Sequence, residues 1–263
     1  MADIAIRIRG LGKRYRIGAR EEQYDTLRDR IAAAAARPFR RLAPGGLAAS
    51  TTIWALHDVT HDIRRGEVVG VIGGNGAGKS TLLKILSRIT TPTEGEIEIH
   101  GRVGSLLEVG TGFHPDLTGR ENIFLNGAIL GMRKAEIERK FDDIVDFAEV
   151  GDFLDTPFRH FSSGMKVRLG FSVITTLDEP IVLVDEVLAV GDRAFREKCY
   201  KRMDDLLSGG KTLFLVSHNE GDLRRFCTRG LYLRAGSLAA DGPLEDALAQ
   251  YREDTGHRRS QPQ

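Results

Sequence analysis

The nine residues Gly73-Gly-Asn-Gly-Ala-Gly-Lys-Ser-Thr81 stand between the apolar run Glu67-Val-Val-Gly-Val-Ile72 and the stretch Leu82-Leu-Lys-Ile-Leu86. The order predicts a strand, a glycine-rich turn and a helix, and the pattern G-x-x-x-x-G-K-[ST] is complete within it. Glycines at positions 73, 74, 76 and 78, with Asn75 and Ala77 between them, let backbone N–H groups converge on one point without Cβ clashes. The helix N-terminus adds partial positive charge there, Lys79 adds a full one, and Ser80 offers a hydroxyl to Mg²⁺. Such a turn is a cradle for the phosphates of a nucleotide. It points to an α/β fold built on a mostly parallel core sheet.

Two carboxylates end the apolar run Ile181-Val-Leu-Val-Asp-Glu186. On a central parallel strand both reach the carboxyl edge, where ligands of α/β sheets bind. Asp185 fits a contact to Mg²⁺ through water, and Glu186 fits a general base for water attacking a γ-phosphate. An Asp-Glu pair at a strand end is ordinary on its own and gains meaning from the cradle. His218 follows the strand Lys211–Ser217 to the same edge, although a lone histidine after a strand is more often structural. His57 and His61 flank Asp58-Val-Thr60 in a strand-like stretch with no further ligand spacing, so no zinc site is read there. In Phe161-Ser-Ser-Gly-Met165, Ser162 or Ser163 can cap a helix whose start would face an anion, but as an isolated motif this is only a cap.

Around this core the chain alternates in Ile4–Ile8, Thr52–Ile63 and Glu94–Gly101, which predicts a small antiparallel layer beside the nucleotide. From 116 to 170 the period becomes helical, with Ile137, Phe141, Ile144, Val145 and Ala148 on one face, so a helical lobe is inserted in the core. A helix (193–207) and strands (213–217, 231–234) complete the α/β order. Residues 253–263 read as a disordered tail, and the whole, 1–263, as a single domain. Tyr24 to Ala36 has helical spacing and an alanine run, and together with the loop that follows it forms an insertion at 24–50. The first fifty residues carry eleven basic and five acidic side chains, whereas the whole chain has a net charge of only +1. That balance does not argue for nucleic acid as a partner. Cys199 and Cys227 form no C-x-x-C pair and read as small buried hydrophobes. No apolar run approaches the eighteen residues of a membrane helix.

As a set, these residues resemble the ATP-binding subunits of ABC transporters. Gly73 to Thr81 looks like Walker A, Ile181 to Glu186 like Walker B, Phe161 to Met165 like a variant of the Leu-Ser-Gly-Gly-Gln signature, and His218 like the switch histidine. Asp192 takes the D-loop position, and Tyr15 resembles the aromatic that stacks on adenine. A narrower resemblance rests on Ser162-Ser-Gly-Met165, Val184–Asp192 and Glu108–Asn122, which look like the ATPases that export lipid-linked polysaccharides such as O-antigen and teichoic acid. In that branch the 24–50 insertion resembles an interfacial helix. Two departures stand out. No glutamine occurs between Gln23 and Gln250, so Glu108 is the nearest substitute for the Q-loop glutamine, and it cannot donate as an amide does. The signature has Ser163 and Met165 where glycine and glutamine are usual.

The resemblance implies the P-loop NTPase fold of ABC type, with ATP and Mg²⁺ as cofactors. It further implies a homodimer in which Walker A of one copy and Ser162 to Met165 of the other enclose each ATP. Tyr15, Gly73 to Thr81, Ser162 to Met165 and Asp192 would bind nucleotide. Ser80, Asp185 and Glu108 would serve the metal, while Lys79, Glu186 and His218 would serve catalysis. The implied partner is a transmembrane permease subunit, two copies of it, with a lipid-linked glycan as transported substrate and no nucleic acid. The place would be peripheral, on the cytoplasmic face of the inner membrane. Competing readings are a soluble ABC ATPase acting on ribosomes or DNA, and a P-loop kinase, which would leave Ser162 to Met165 and His218 unexplained.

Overall fold

The computed structural model describes residues 3–17, 51–106, 112–185 and 192–259. The 24–50 insertion, Glu108 and Glu186 lie outside the described residues. Six strands form the core sheet: β3 (Val68–Ile72), β5 (Val103–Leu106), β6 (Ile181–Asp185), β7 (Thr212–Val216), β8 (Arg229–Arg234) and β9 (Ser237–Pro243), in the order β5-β6-β7-β3-β8-β9. All neighbours pair in parallel except β8 and β9. A second sheet is antiparallel, with β1 (Ile4–Ile17) between β2 (Thr51–Arg64) and β4 (Glu94–Ile99). The mostly parallel core with an antiparallel layer is thus present as expected.

The central strands are buried on both faces, which is why they read as continuous apolar runs instead of alternating ones. Leu213, Phe214, Leu215 and Val216 of β7 are all at most 1% exposed. Each such side chain contributes roughly 1.5–3 kcal/mol on burial. Helix α1 (Lys79–Leu86) packs Leu82, Leu83, Ile85 and Leu86 between the two sheets. On the opposite face Phe195, Cys199 and Met203 of α5 (Arg193–Ser208), Leu223 and Phe226 of α6 (Glu220–Phe226), and Leu244, Ala247 and Leu248 of α7 (Leu244–Arg259) form a second core. Both cysteines are buried there, and burial pushes their thiols up to about 12.

Between β5 and β6 lie three helices, α2 (Gly119–Ile129), α3 (Lys134–Ala148) and α4 (Ser163–Thr175), with an apolar cluster of their own around Ile123, Ile137, Ile144 and Phe161. Thr118 and Glu121 close a capping box at the start of α2. The expectation of a disordered tail over 253–263 is corrected for 253–259, since α7 continues to Arg259, while 260–263 lie outside the described residues. Tyr251 stacks edge-on against Tyr232, and Asp254 accepts hydrogen bonds from the Tyr232 hydroxyl at 3.0 Å and Arg234 at 2.9 Å, so β8 anchors the last turns.

The two sheets are also joined through charge. His61 of β2 is buried, with Nδ1 2.7 Å from the Asp241 carboxylate of β9, and Arg229 of β8 reaches Asp241 and Glu67. Burial holds the His61 pKa below the ordinary value of 6.5, with Arg229 adding to the effect and Asp241 opposing it. The folded protein therefore binds fewer protons here than the unfolded chain, so the stabilisation is complete above the unfolded value and is lost as pH falls below it. Thermal melting at pH 7 and pH 5 should show a drop that shrinks in His61→Gln. The difference between the two proteins should be about 2–4 °C for each kcal/mol that this linkage contributes. Equal drops in both would remove His61 from the account.

Candidate functional site

The phosphate cradle joins β3 to α1. Lys79 opens the helix, with Gly78 in a left-handed conformation (φ 106°) just before it, and no acidic residue occupies the first turn. A Cβ on Gly73 would stand 2.6 Å from the Leu233 carbonyl oxygen, and one on Gly78 would stand 2.5 Å from that of Ala55. Backbone proximity therefore demands glycine at these two positions. At Gly74 and Gly76 a Cβ would meet nothing within 4 Å among the described residues, so the space above them is open. Lys79 is 7% exposed, and its ammonium donates to the carbonyls of Gly73 at 2.7 Å and Gly74 at 3.1 Å. These bonds hold the positive charge inside the turn, and phosphate oxygens have the advantage of charge over carbonyl acceptors.

Strand order brings the remaining chemistry to this point. The strands β6, β7 and β3 are neighbours, with Asp185 opposite Val216 and Val71 opposite Val216 in register. Their carboxyl ends therefore line up Asp185, then Ser217 and His218, then Gly73. A cleft of about 330 Å³ opens over the cradle, lined by Tyr15, Ala55, Asn75 to Thr81 and His218. Tyr15 is 41% exposed, and the Lys13 ammonium sits 5.3 Å from its ring centroid. Sequence reasoning missed Ala55, which carries no chemistry of its own; it enters because β2 lays its backbone against Gly78.

The structure does not bring Ser162 to Met165 into this cleft. Ser162 caps α4, its hydroxyl accepting from the Met165 N–H at 3.1 Å, and both Ser162 and Ser163 are exposed. Asp192 likewise stands apart. It caps α5 by accepting from the Phe195 N–H at 2.9 Å and pairs with Arg168. The Phe195 N–H, with Arg168 behind it, holds the Asp192 carboxyl below the usual range. Among the described residues no group of three or more His, Cys, Asp or Glu side chains could hold a metal. Ser80 in the cleft and Asp185 at the end of β6, with β7 between them, are the residues that could hold Mg²⁺, which commonly takes one or two protein ligands and completes its shell with phosphate and water.

Residues 56–189 match the family described as ABC transporter. Over 204 residues the chain is 46% identical to the O-antigen export system ATP-binding protein RfbB of Myxococcus xanthus, covering 78% of this chain and 47% of that protein. Over 199 residues it is 44% identical to RfbB of Klebsiella pneumoniae, covering 76% of this chain and 81% of that one. The chain thus spans about half the length of the first relative and four fifths of the second. In architecture it resembles a dimeric ATP-binding cassette in a post-hydrolysis state with ADP and Pi, at a TM-score of 0.69 and 23% identity, covering 91% of this chain and 98% of that one.

Proposed function

The chain belongs to the ABC transporter family, and on that premise we propose that it is the ATP-hydrolysing subunit that powers export of a lipid-linked polysaccharide through a partner transmembrane subunit. The observation that carries this reading is the phosphate cleft over the cradle in a chain 44% identical to an O-antigen export ATP-binding protein over most of that protein's length. Among the described residues no helix is long and apolar enough to cross a membrane. The reading assigns the membrane path to the partner and places this chain against the cytoplasmic face.

In this reading the ATP phosphates enter the cradle, where the open backbone above Gly74 and Gly76, the start of α1 and Lys79 receive their charge. Tyr15 lines the same cleft, where its exposed ring would stack on the base. Ser80 and Asp185, with Glu108 as a third candidate, would hold Mg²⁺, which would neutralise negative charge on the phosphates. Glu186 draws the proton from the attacking water, and His218 faces the γ-phosphate from the end of β7. Ser162 to Met165, outside the cleft of their own copy, close on the ATP of a second copy. ATP binding then favours a closed dimer and hydrolysis an open one, and that difference moves the partner.

Affinity purification of the tagged chain from its native membranes tests the proposal. A stable complex with a polytopic membrane protein, whose presence alters ATP turnover, is the expected result. Recovery with ribosomes or DNA and no membrane protein would replace it with the soluble alternative.

A further inference from the structure

Arg168 lies in α4, one and a half turns beyond Ser163, and its guanidinium bridges two carboxylates from different elements. One nitrogen is 2.6 Å from Glu149 Oε2, and the other is bonded to Asp192. The Phe195 ring lies beneath the group, 4.9 Å from Cζ to centroid. Lys198, one turn further along α5, also pairs with Glu149. A single guanidinium therefore ties together the end of α3, the first turns of α4 and the cap of α5. Glu149 ends α3 with φ 57°, in the left-handed region that glycine or asparagine occupies at lower cost. At that position its carboxylate meets both Arg168 and Lys198, and Lys198 first, then Arg168, hold it below the usual carboxylate range.

Stability does not require this arrangement. The Arg168 side chain is 20% exposed, but its partners Glu149 and Asp192 are 44% and 58% exposed, and ion pairs open to solvent on one side contribute little to folding. The helices are already packed through Phe171 against Phe195, with ring centroids 6.2 Å apart, and Phe147 against Phe195 at 5.5 Å. What a two-pronged guanidinium adds over apolar packing is direction. It fixes the rotation and register of α4 relative to α5, which ring contacts alone leave free over fractions of an ångström.

We propose that Arg168 is a positioning residue that locks the start of α4, carrying Ser162 to Met165, to Asp192 at the start of α5. Asp192 follows the base Glu186 by six positions in the chain. The lock therefore joins the segment presented to the second copy's ATP to the segment that serves the protomer's own, and alignment at one site is transmitted to the other. The inference rests on the dimeric ATPase reading given above.

The test uses the full chain as wild type, Arg168→Met, Asp192→Asn and the double variant. Asparagine keeps the cap on α5, since it accepts from the Phe195 N–H as well as aspartate does. Three quantities are read: melting temperature, affinity for trinitrophenyl-ATP, and kcat at saturating Mg-ATP. The expected result is a melting temperature within about 3 °C and affinity within about twofold of wild type, with kcat at least about tenfold lower in each single variant. The double variant should be no slower than the singles, because both remove the same link. A kcat within about twofold of wild type in the singles, or a double variant showing the product of the two losses, would overturn the lock. Asp192→Asn carries the test should Arg168→Met fold poorly. Wild type without turnover would overturn the ATPase reading and the lock together, whereas wild-type turnover that the variants match overturns the lock alone.

Discussion

Lys79→Ala should lower kcat/KM for ATP by about a thousandfold or more, with the loss divided between weaker nucleotide binding and slower chemistry. Lys79 is the one full positive charge contributed by the cradle itself, it is 7% exposed, and its ammonium donates to the carbonyls of Gly73 and Gly74. A charged donor to phosphate is worth more than a neutral one, and in a dry cleft its share grows as negative charge gathers on the leaving oxygens. Substitution removes that charge and also releases the two carbonyls it holds in place. Retained circular dichroism and an unshifted melting temperature would assign the loss to chemistry, and methionine at 79 provides a second variant that fills the same space. Turnover within tenfold of wild type would refute the place given to Lys79.

The parts of the fold legible in the sequence were those whose signal is local. β6 and β7 are short apolar runs buried on both faces, and they lie within a residue of where the pattern puts them, Ile181–Asp185 and Thr212–Val216. The cradle was legible because backbone approach restricts Gly73 and Gly78 to one residue type. Other elements depend on partners far along the chain. β1 runs to Ile17, well past the alternating Ile4 to Ile8, because β2 pairs with its whole length. β9, Ser-Leu-Ala-Ala-Asp-Gly-Pro, has no strand pattern and exists through pairing with β8 across the turn at Ala235 and Gly236, both with positive φ. The signal for α7 is local too: Leu244, Ala247, Leu248 and Tyr251 recur at helical spacing and bury against the sheet. The Arg168 bridge has no sequence signature, since its carboxylates lie 19 and 24 residues away on opposite sides.

The two halves of the proposed site can be separated by substitutions in different copies. Gly164 is the second residue of α4, and a Cβ there would find its nearest neighbour among the described residues in Ser162 Oγ at 3.8 Å, an ordinary contact. No acidic residue occupies that first turn. Aspartate at 164 would therefore suit the protomer, because a carboxylate in the first turn of a helix is stabilising. Facing a γ-phosphate across a dimer interface, the same carboxylate is repelled. Gly164→Asp is thus expected to keep or raise the melting temperature while losing turnover nearly as fully as Lys79→Ala. Mixed in equal amounts, the two inactive proteins should recover about a quarter of wild-type activity, since half of randomly formed dimers are mixed and each holds one intact composite site out of two. The measurement is ATPase activity of differently tagged copies, with mixed dimers verified by sequential affinity capture. Activity from Gly164→Asp alone at the wild-type rate would mean that nothing charged approaches the start of α4. Verified mixed dimers without recovery would overturn the composite site as an independent unit of turnover.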